Sequence, residues 1–244
     1  MIPRPPLHLR RRDIIRMSVP VHQIVFSSAH DVSEPPRAAE IRARIDGPYR
    51  LWILEDARTL IGDVYGREVL AAFDRLRPYA YKADLARYCI VQYLGGLYVD
   101  LSVNDFRGFE VDDFDFVGFR DLNSSNTSWK VGNHMFYSRA ASPILDACIA
   151  ECVENVQRRF YGKDPHYPTG PSVLGRALAN FSFDATVLLG DFLWLSGRRA
   201  KYTLPGQPGF LARGKVCGRN LGGVSGVLGG NDYNAMWRER TVYS

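Results

Sequence analysis

The chain has 244 residues and a mass of 27.5 kDa, with 46% hydrophobic and 23% charged residues. That composition excludes a disordered chain, a collagen and a disulfide-stapled mini-protein, and no apolar run approaches the ~18 residues of a spanning helix. The net charge of +5 is concentrated at one end: Arg4, Arg10, Arg11, Arg12 and Arg16 against Asp13 give +4 in residues 1–16. The remainder is close to neutral, so a duplex-binding face is not expected and no nucleic-acid partner is assigned.

Residues 1–17 read as a basic N-terminal arm, and residues 18–244 as one α/β domain. The arm is either a solvated terminus or an attraction to an anionic membrane surface. Residues 18–28 read as a buried strand ending in Ser27-Ser28. Pro35-Pro36 opens a helix, AAEIRARI. YRLWILED, 49–56, reads as a second strand with an acidic end. GREVLAAFDRL, 66–76, has helical spacing and stops before Pro78. YKADLARYCIVQYL, 81–94, is a helix with Leu85, Tyr88, Cys89 and Gln92 on one side, ended by Gly95-Gly96. LYVDL, 97–101, follows as a short strand. DFDFVGF, 113–119, and KVGNHMFYS, 130–138, read as two more. Pro143 starts a helix to about Arg159, and TGPSVLGRALANF, 169–181, is a turn running into another. TVLLG and DFLWLSG, 186–197, read as two strands. A glycine-rich stretch, 218–230, precedes a short helix, NDYNAMWRER.

Strand–helix alternation over the first hundred residues indicates a parallel sheet, and the later order is mixed. The expectation is a three-layer α/β/α domain with a mixed central sheet. Of the four cysteines, Cys148 and Cys152 share a helix face with spacing of four. There is no C-x-x-C pair, so a structural zinc site is not expected, and reduced thiols in a cytoplasmic protein are. Pro20, His22 and Gln23 interrupt the apolar stretch after the arm, so no secretory leader is expected.

In open parallel sheets, ligands gather at the carboxyl ends of strands. Polar groups fall at three such ends: His22-Gln23 with Ser27-Ser28, Glu55-Asp56, and Asp100-Leu101-Ser102. The third is the most informative, because an aspartate stands at the tip of a buried apolar strand, where oxygen ligands suit a hard divalent cation. An aspartate after a strand also commonly caps a turn. Asp84 and Arg87, three apart, share a helix face; on spacing alone they are an ordinary helix ion pair. A strand-end histidine such as His22 is usually a satisfied structural residue, and Trp52 suits either base stacking or sheet packing.

KADLARYCIVQYLGGLYVDLSV, 82–103, resembles the central signature of the DXD-type glycosyltransferases of the Och1-like, or family 32, group. It also resembles the glucosyltransferase domains of the large clostridial toxins. The matching positions are Lys82, Asp84, Arg87, Tyr88, Gly95, Gly96, Tyr98 and Asp100. Weaker likenesses are VPVHQIVFSS to the group's opening strand, GNHMFYSRAASP to its Asn…Pro segment, TGP at 169–171, and Trp237 to its terminal tryptophan.

The resemblance implies a GT-A fold, a Rossmann-like nucleotide-sugar-binding half joined to an acceptor half. It implies a UDP- or GDP-sugar donor, Mn²⁺ or Mg²⁺, and transfer with retention. The implied acceptor is a glycan or a lipid-linked or surface-polysaccharide precursor, at the cytoplasmic membrane face or in the cytoplasm. Asp84, Arg87 and Asp100 are implied as catalytic. His22, Gln23, Tyr98, Ser102, Asn133 and Trp237 join them in donor binding, Asp100 and Asp232 in metal binding, and Thr169, Gly170 and Pro171 line the cleft.

The chain departs from the pattern at Ser102, which replaces the second aspartate of DXD, and at Ala235, where toxin-like relatives have serine. Serine is a neutral, poorer cation ligand. Three readings remain: a metal held by Asp100 with help from Asp105 or Asp232; little or no metal, with Arg or Lys neutralising the diphosphate; or a nucleotide-sugar-binding scaffold without activity.

Overall fold

A computed structural model describes residues 15–26, 34–103, 108–122, 130–180, 185–195, 199–207, 210–213 and 231–244. In chain order the elements are β1 (Ile15–Arg16), β2 (Val21–Ile24), α1 (Pro36–Arg44), β3 (Ile45–Asp46), β4 (Tyr49–Trp52), α2 (Leu54–Arg75), α3 (Tyr79–Leu94) and β5 (Gly96–Val99). Then come β6 (Phe116–Asp121), β7 (Val131–Ser138), α4 (Pro143–Gln157), α5 (Pro171–Asn180), β8 (Val187–Leu195), β9 (Arg199–Thr203), β10 (Phe210–Arg213) and α6 (Tyr233–Arg238). Ser27-Ser28, Asp105, Cys217, the glycine-rich stretch and the arginines at 4 and 10–12 lie outside the described residues.

Among the described residues, eight strands form one mixed sheet in the order β10-β9-β8-β6-β7-β5-β2-β4, and β1 pairs with β3 in a separate parallel ribbon. β2 is parallel to both β4 and β5, while β7 is antiparallel to β5 and β6. The chain therefore steps outward from β2 to β4 and back across β2 to β5. Since crossovers between parallel strands follow a right-handed rule, two of them in opposite directions place α1 on one face and α2–α3 on the other. The packing agrees. Ala38 of α1 is buried with Val25, Leu101 and Leu51, whereas α2 through α6 share the large core that holds Ile24, Trp52 and Phe136. The opposite core, with Val21, Leu97, Val99 and Met135, is also closed by Ile15 and Met17, so the end of the basic segment is packed into the domain. This is the expected α/β domain with helices on both faces.

Three local differences have physical causes. Glu55 and Asp56 are not the end of a strand; they occupy the first turn of α2, where acidic side chains oppose the positive helix terminus. α2 begins at Leu54 and breaks at Gly66 (φ 76°), the residue at which the helix was expected to start. Val187–Leu195 is one strand where two are expected. Gly190 sits mid-strand because a Cβ there would meet the Thr203 carbonyl oxygen at 2.1 Å, and Asp191 is paired across the sheet with Arg120 at 2.6 Å.

The Gly95-Gly96 pair turns α3 straight into β5. Gly95 ends the helix at φ 65°, a left-handed conformation that costs glycine nothing. A Cβ on Gly96 would lie 2.4 Å from the Pro20 carbonyl oxygen. This turn runs α3 antiparallel to β5 and delivers Asp100 to the carboxyl end of the strand beside β2, where the strand order reverses.

Candidate active site

Five of the residues singled out in the sequence meet at this end of the sheet, carried there by four different parts of the chain. Asp84 and Arg87 come from α3, Asp100 from the end of β5, Asn133 from β7, and Thr169 from the turn before α5. Arg87 is 5% exposed and Asp84 13%, and their side chains are 3.2 Å apart. The Asp84 carboxylate accepts from Asn133 Nδ2 on one oxygen (2.8 Å) and from Thr169 Oγ1 on the other (2.9 Å). Arg87 donates through Nε to the Ala83 carbonyl and through Nη1 to the Asn133 carbonyl. Its guanidinium lies 4.5 Å from the Tyr98 ring centroid, and Nη1 is 3.8 Å from Asp100 Oδ2. Asn133 Nδ2 also reaches the Tyr88 hydroxyl (3.1 Å).

The spacing of three that suggested an exposed ion pair is instead a buried, cross-braced one. Burial works against the Arg87 charge, but Tyr98, Asp84 and Asp100 around it hold the guanidinium above its ordinary value. Burial pushes the Asp84 carboxyl up from the usual carboxylate range, opposed by Arg87, Thr169 and Asn133, all of which favour the charged form. Asp100 is the more open carboxylate, at 29% exposure. Its Oδ1 accepts from the Ser102 amide (2.9 Å), which curls the chain back after the strand.

Ser102 is 5% exposed and its hydroxyl has no partner among the described residues. Arg37 Nη1 is likewise buried without one. Arg37 is in the first turn of α1, next to Ala38, which packs on Leu101. Buried polar atoms are nearly always satisfied, so these two atoms, like Ser172 Oγ without a partner among the described residues, are candidates for ligand contacts.

His22 and Gln23, expected as donor contacts, are held within the sheet. Both are buried, and both spend their polar atoms on the sheet. Trp52 Nε1 donates to His22 Nδ1 (3.2 Å), which leaves Nε2 carrying the proton it gives to the Gly95 carbonyl (2.9 Å). Burial pushes the His22 pKa down to about 4. Gln23 donates to the Val99 carbonyl and accepts from the Tyr49 hydroxyl. Trp52 is 1% exposed, a packing residue.

Asp232 caps α6, accepting from the Asn234 and Ala235 amides, and Trp237 Nε1 donates to the Tyr161 carbonyl. Among the described residues no cluster of three or more His, Cys, Asp or Glu side chains could hold a metal. Lys82, a motif position, binds the Phe73 and Asp74 carbonyls at the end of α2, and burial lowers its pKa to about 8. Its role is to join two helices. Cys89, Cys148 and Cys152 are free thiols, all buried. Tyr88, which braces Asn133, matched the motif but had no role assigned; its long-range bonds leave no local sequence signal.

No family model matches the chain. An uncharacterized glycosyltransferase of Acanthamoeba polyphaga mimivirus is 27% identical over 135 residues, which are 52% of this chain and 51% of that protein. The match thus spans about half the length of the curated relative. The solved structure of PaToxG glycosyltransferase superposes with a TM-score of 0.50 at 16% identity, covering 66% of this chain and 68% of that one. The structural likeness gives the fold, a GT-A α/β domain. Among the described residues no helix is long and apolar enough to cross a membrane.

Proposed function

We propose that the protein is a glycosyltransferase of the DXD type, related to the Och1-like group, that moves a sugar from a UDP- or GDP-sugar to a glycan or lipid-linked acceptor with retention of configuration. The observation that carries this reading is the braced cluster of Asp84, Arg87, Asn133 and Thr169 beside Asp100, at the sheet end where strand order reverses. The glycosyltransferase likeness in sequence and fold supports it.

In this reading Asp84 accepts hydrogen bonds from donor-sugar hydroxyls, and Arg87 supplies its remaining N–H groups to the sugar or diphosphate. Both are held by the protein before any ligand arrives, so little reorganisation is needed in the transition state. Asp84 has partners on both carboxylate oxygens, an arrangement suited to orientation rather than nucleophilic attack. The acceptor proton then goes to the departing diphosphate oxygen, which leaves on the face from which the acceptor enters.

A divalent cation fits the residues present, weakly. Asp84, Arg87 and Asp100 together carry one net negative charge, and a diphosphate adds more. Asp100 offers a partly open carboxylate and Ser102 an orphaned hydroxyl, both oxygen donors of the kind Mg²⁺ and Mn²⁺ take. When bound there, such an ion would offset charge on the leaving diphosphate. Asp100 and Ser102 being the donors found there among the described residues, the ion is expected to enter together with the donor diphosphate. The orphaned Arg37 Nη1 is assigned to the nucleotide end of the same ligand. The basic segment 1–16 is assigned to an anionic membrane surface, where the lipid-linked acceptor would be met.

The test is a turnover assay. Purified protein is incubated with UDP- and GDP-sugars and a panel of glycan acceptors, and the product anomer is read by NMR. A retained anomer supports the reading. Binding of donor without turnover on any acceptor favours a scaffold instead, and an inverted product contradicts the mechanism.

A further inference from the structure

The segment 164–170 carries Thr169 to Asp84, and side chains from two helices and from Lys130 hold it from behind. Tyr81 of α3 donates to the Pro165 carbonyl (2.7 Å), and Tyr88 of the same helix to the Gly170 carbonyl (3.2 Å). Lys130, just before β7, pairs with Asp164 (3.2 Å). From α4, Cys152 Sγ lies 3.9 Å from the Thr169 carbonyl, and Asn155 Nδ2 donates to the Pro168 carbonyl at 2.9 Å. Asn155 is 7% exposed on a helix whose other buried residues are all apolar or cysteine. A buried amide in such surroundings is costly unless its bond is made.

We infer that Asn155 is a positioning residue: by fixing the Pro168–Thr169 peptide, it holds the Thr169 hydroxyl on Asp84 and so sets the orientation of the donor-binding carboxylate. The bond it makes is one peptide away from Thr169, which is itself fully buried. Downstream, Pro171 fixes its own φ, and Gly170 is packed on the preceding turn, where a Cβ would lie 3.1 Å from the His166 carbonyl oxygen. The turn therefore has little freedom on its C-terminal side, and the Asn155 bond removes freedom on the other. The thiol contact from Cys152 is long and weak by comparison. This inference rests on the glycosyltransferase reading for what Asp84 binds, but not for the geometry.

The experiment has two arms. Crystal structures are determined for the full chain, for Asn155→Ala and for the isosteric Asn155→Asp, which removes the amide donor without emptying the site. The inference requires Thr169 Oγ1 to move beyond hydrogen-bond distance of Asp84 in either variant while α4 and α5 stay in place. A Thr169–Asp84 bond still near 2.9 Å overturns it whatever the protein binds.

The second arm titrates UDP-glucose and GDP-mannose, each with Mn²⁺, into a double-mutant cycle of Asn155→Ala and Thr169→Val. Loss of one hydrogen bond to the carboxylate is expected to weaken binding about fivefold. Asn155→Ala should add nothing on the Thr169→Val background, because both changes remove the same bond. Additive losses mark a merely structural role and overturn the inference. Cys152→Ala, the control, should leave affinity within about twofold. If neither nucleotide sugar binds the unaltered chain, the functional reading is what fails, and the crystallographic arm still decides the role of Asn155.

Discussion

Replacing Arg87 with methionine removes a buried cation while keeping an unbranched side chain of similar reach. The guanidinium makes hydrogen bonds to the Ala83 and Asn133 carbonyls and an ion pair with Asp84 at 3.2 Å, at 5% exposure. Asp84, 13% exposed, would keep its bonds to Asn133 and Thr169 but lose its counter-charge. Breaking one side of a buried pair typically costs about 3–5 kcal/mol, because the remaining charge is stranded. Against a total stability on the order of 5–15 kcal/mol, that is a large share. Urea unfolding followed by circular dichroism should show a lower midpoint with an unchanged slope. Adding Asp84→Asn should recover about 2 kcal/mol, since the stranded charge is then gone. A cost for Arg87→Met below about 1 kcal/mol, or no recovery in the double variant, would refute the braced, buried pair.

Three further outcomes are expected. The folded-state pKa of His22, about 4, lies below the ordinary 6.5, so the unfolded chain takes the proton first. Its contribution to stability is therefore intact above about pH 6.5 and lost as pH falls toward 4, by about 3 kcal/mol; urea midpoints at several pH values should show a slope that His22→Gln lacks, and an equal slope in the variant would count against it. Ser102→Asp places a second carboxylate beside Asp100, so Mn²⁺ titrated in the presence of UDP should bind at least tenfold more tightly by calorimetry; unchanged Mn²⁺ affinity would remove Ser102 from the cation site. Arg37→Gln should weaken UDP and GDP binding about fivefold without changing the melting temperature appreciably; unaltered affinity would mean that Arg37 Nη1 serves something else.

What the sequence revealed is concentrated in residues 82–103. There the helix, its glycine stop and the aspartate-tipped strand are all local, and the structure reproduces them almost residue for residue. Asp84 and Arg87 were legible as neighbours, but their burial was not, because the groups that cover them lie 46 to 85 residues away. His22 and Gln23 show the same limit. They read as polar residues at a strand end, and the partners that hold them, Gly95 and Trp52, Val99 and Tyr49, lie 26 to 76 residues away. The parallel first half followed from alternation, whereas β1, β3, β9 and β10 are short strands stabilised by pairing and give no hydrophobic period of their own. Asn155 sits inside an apolar helix and looks like an exception until the Pro168 carbonyl is seen above it.

The central claim, that the cluster around Asp84 and Arg87 receives a nucleotide sugar, is tested most directly by calorimetric titration. UDP-, GDP- and dTDP-sugars are titrated into the full chain, each with Mn²⁺ and with EDTA, alongside Asp84→Asn. The account predicts micromolar binding of one donor with Mn²⁺, weaker binding in EDTA, and a loss of at least tenfold in the variant. Failure of every nucleotide sugar to bind the unaltered protein, or equal binding by Asp84→Asn, would contradict it.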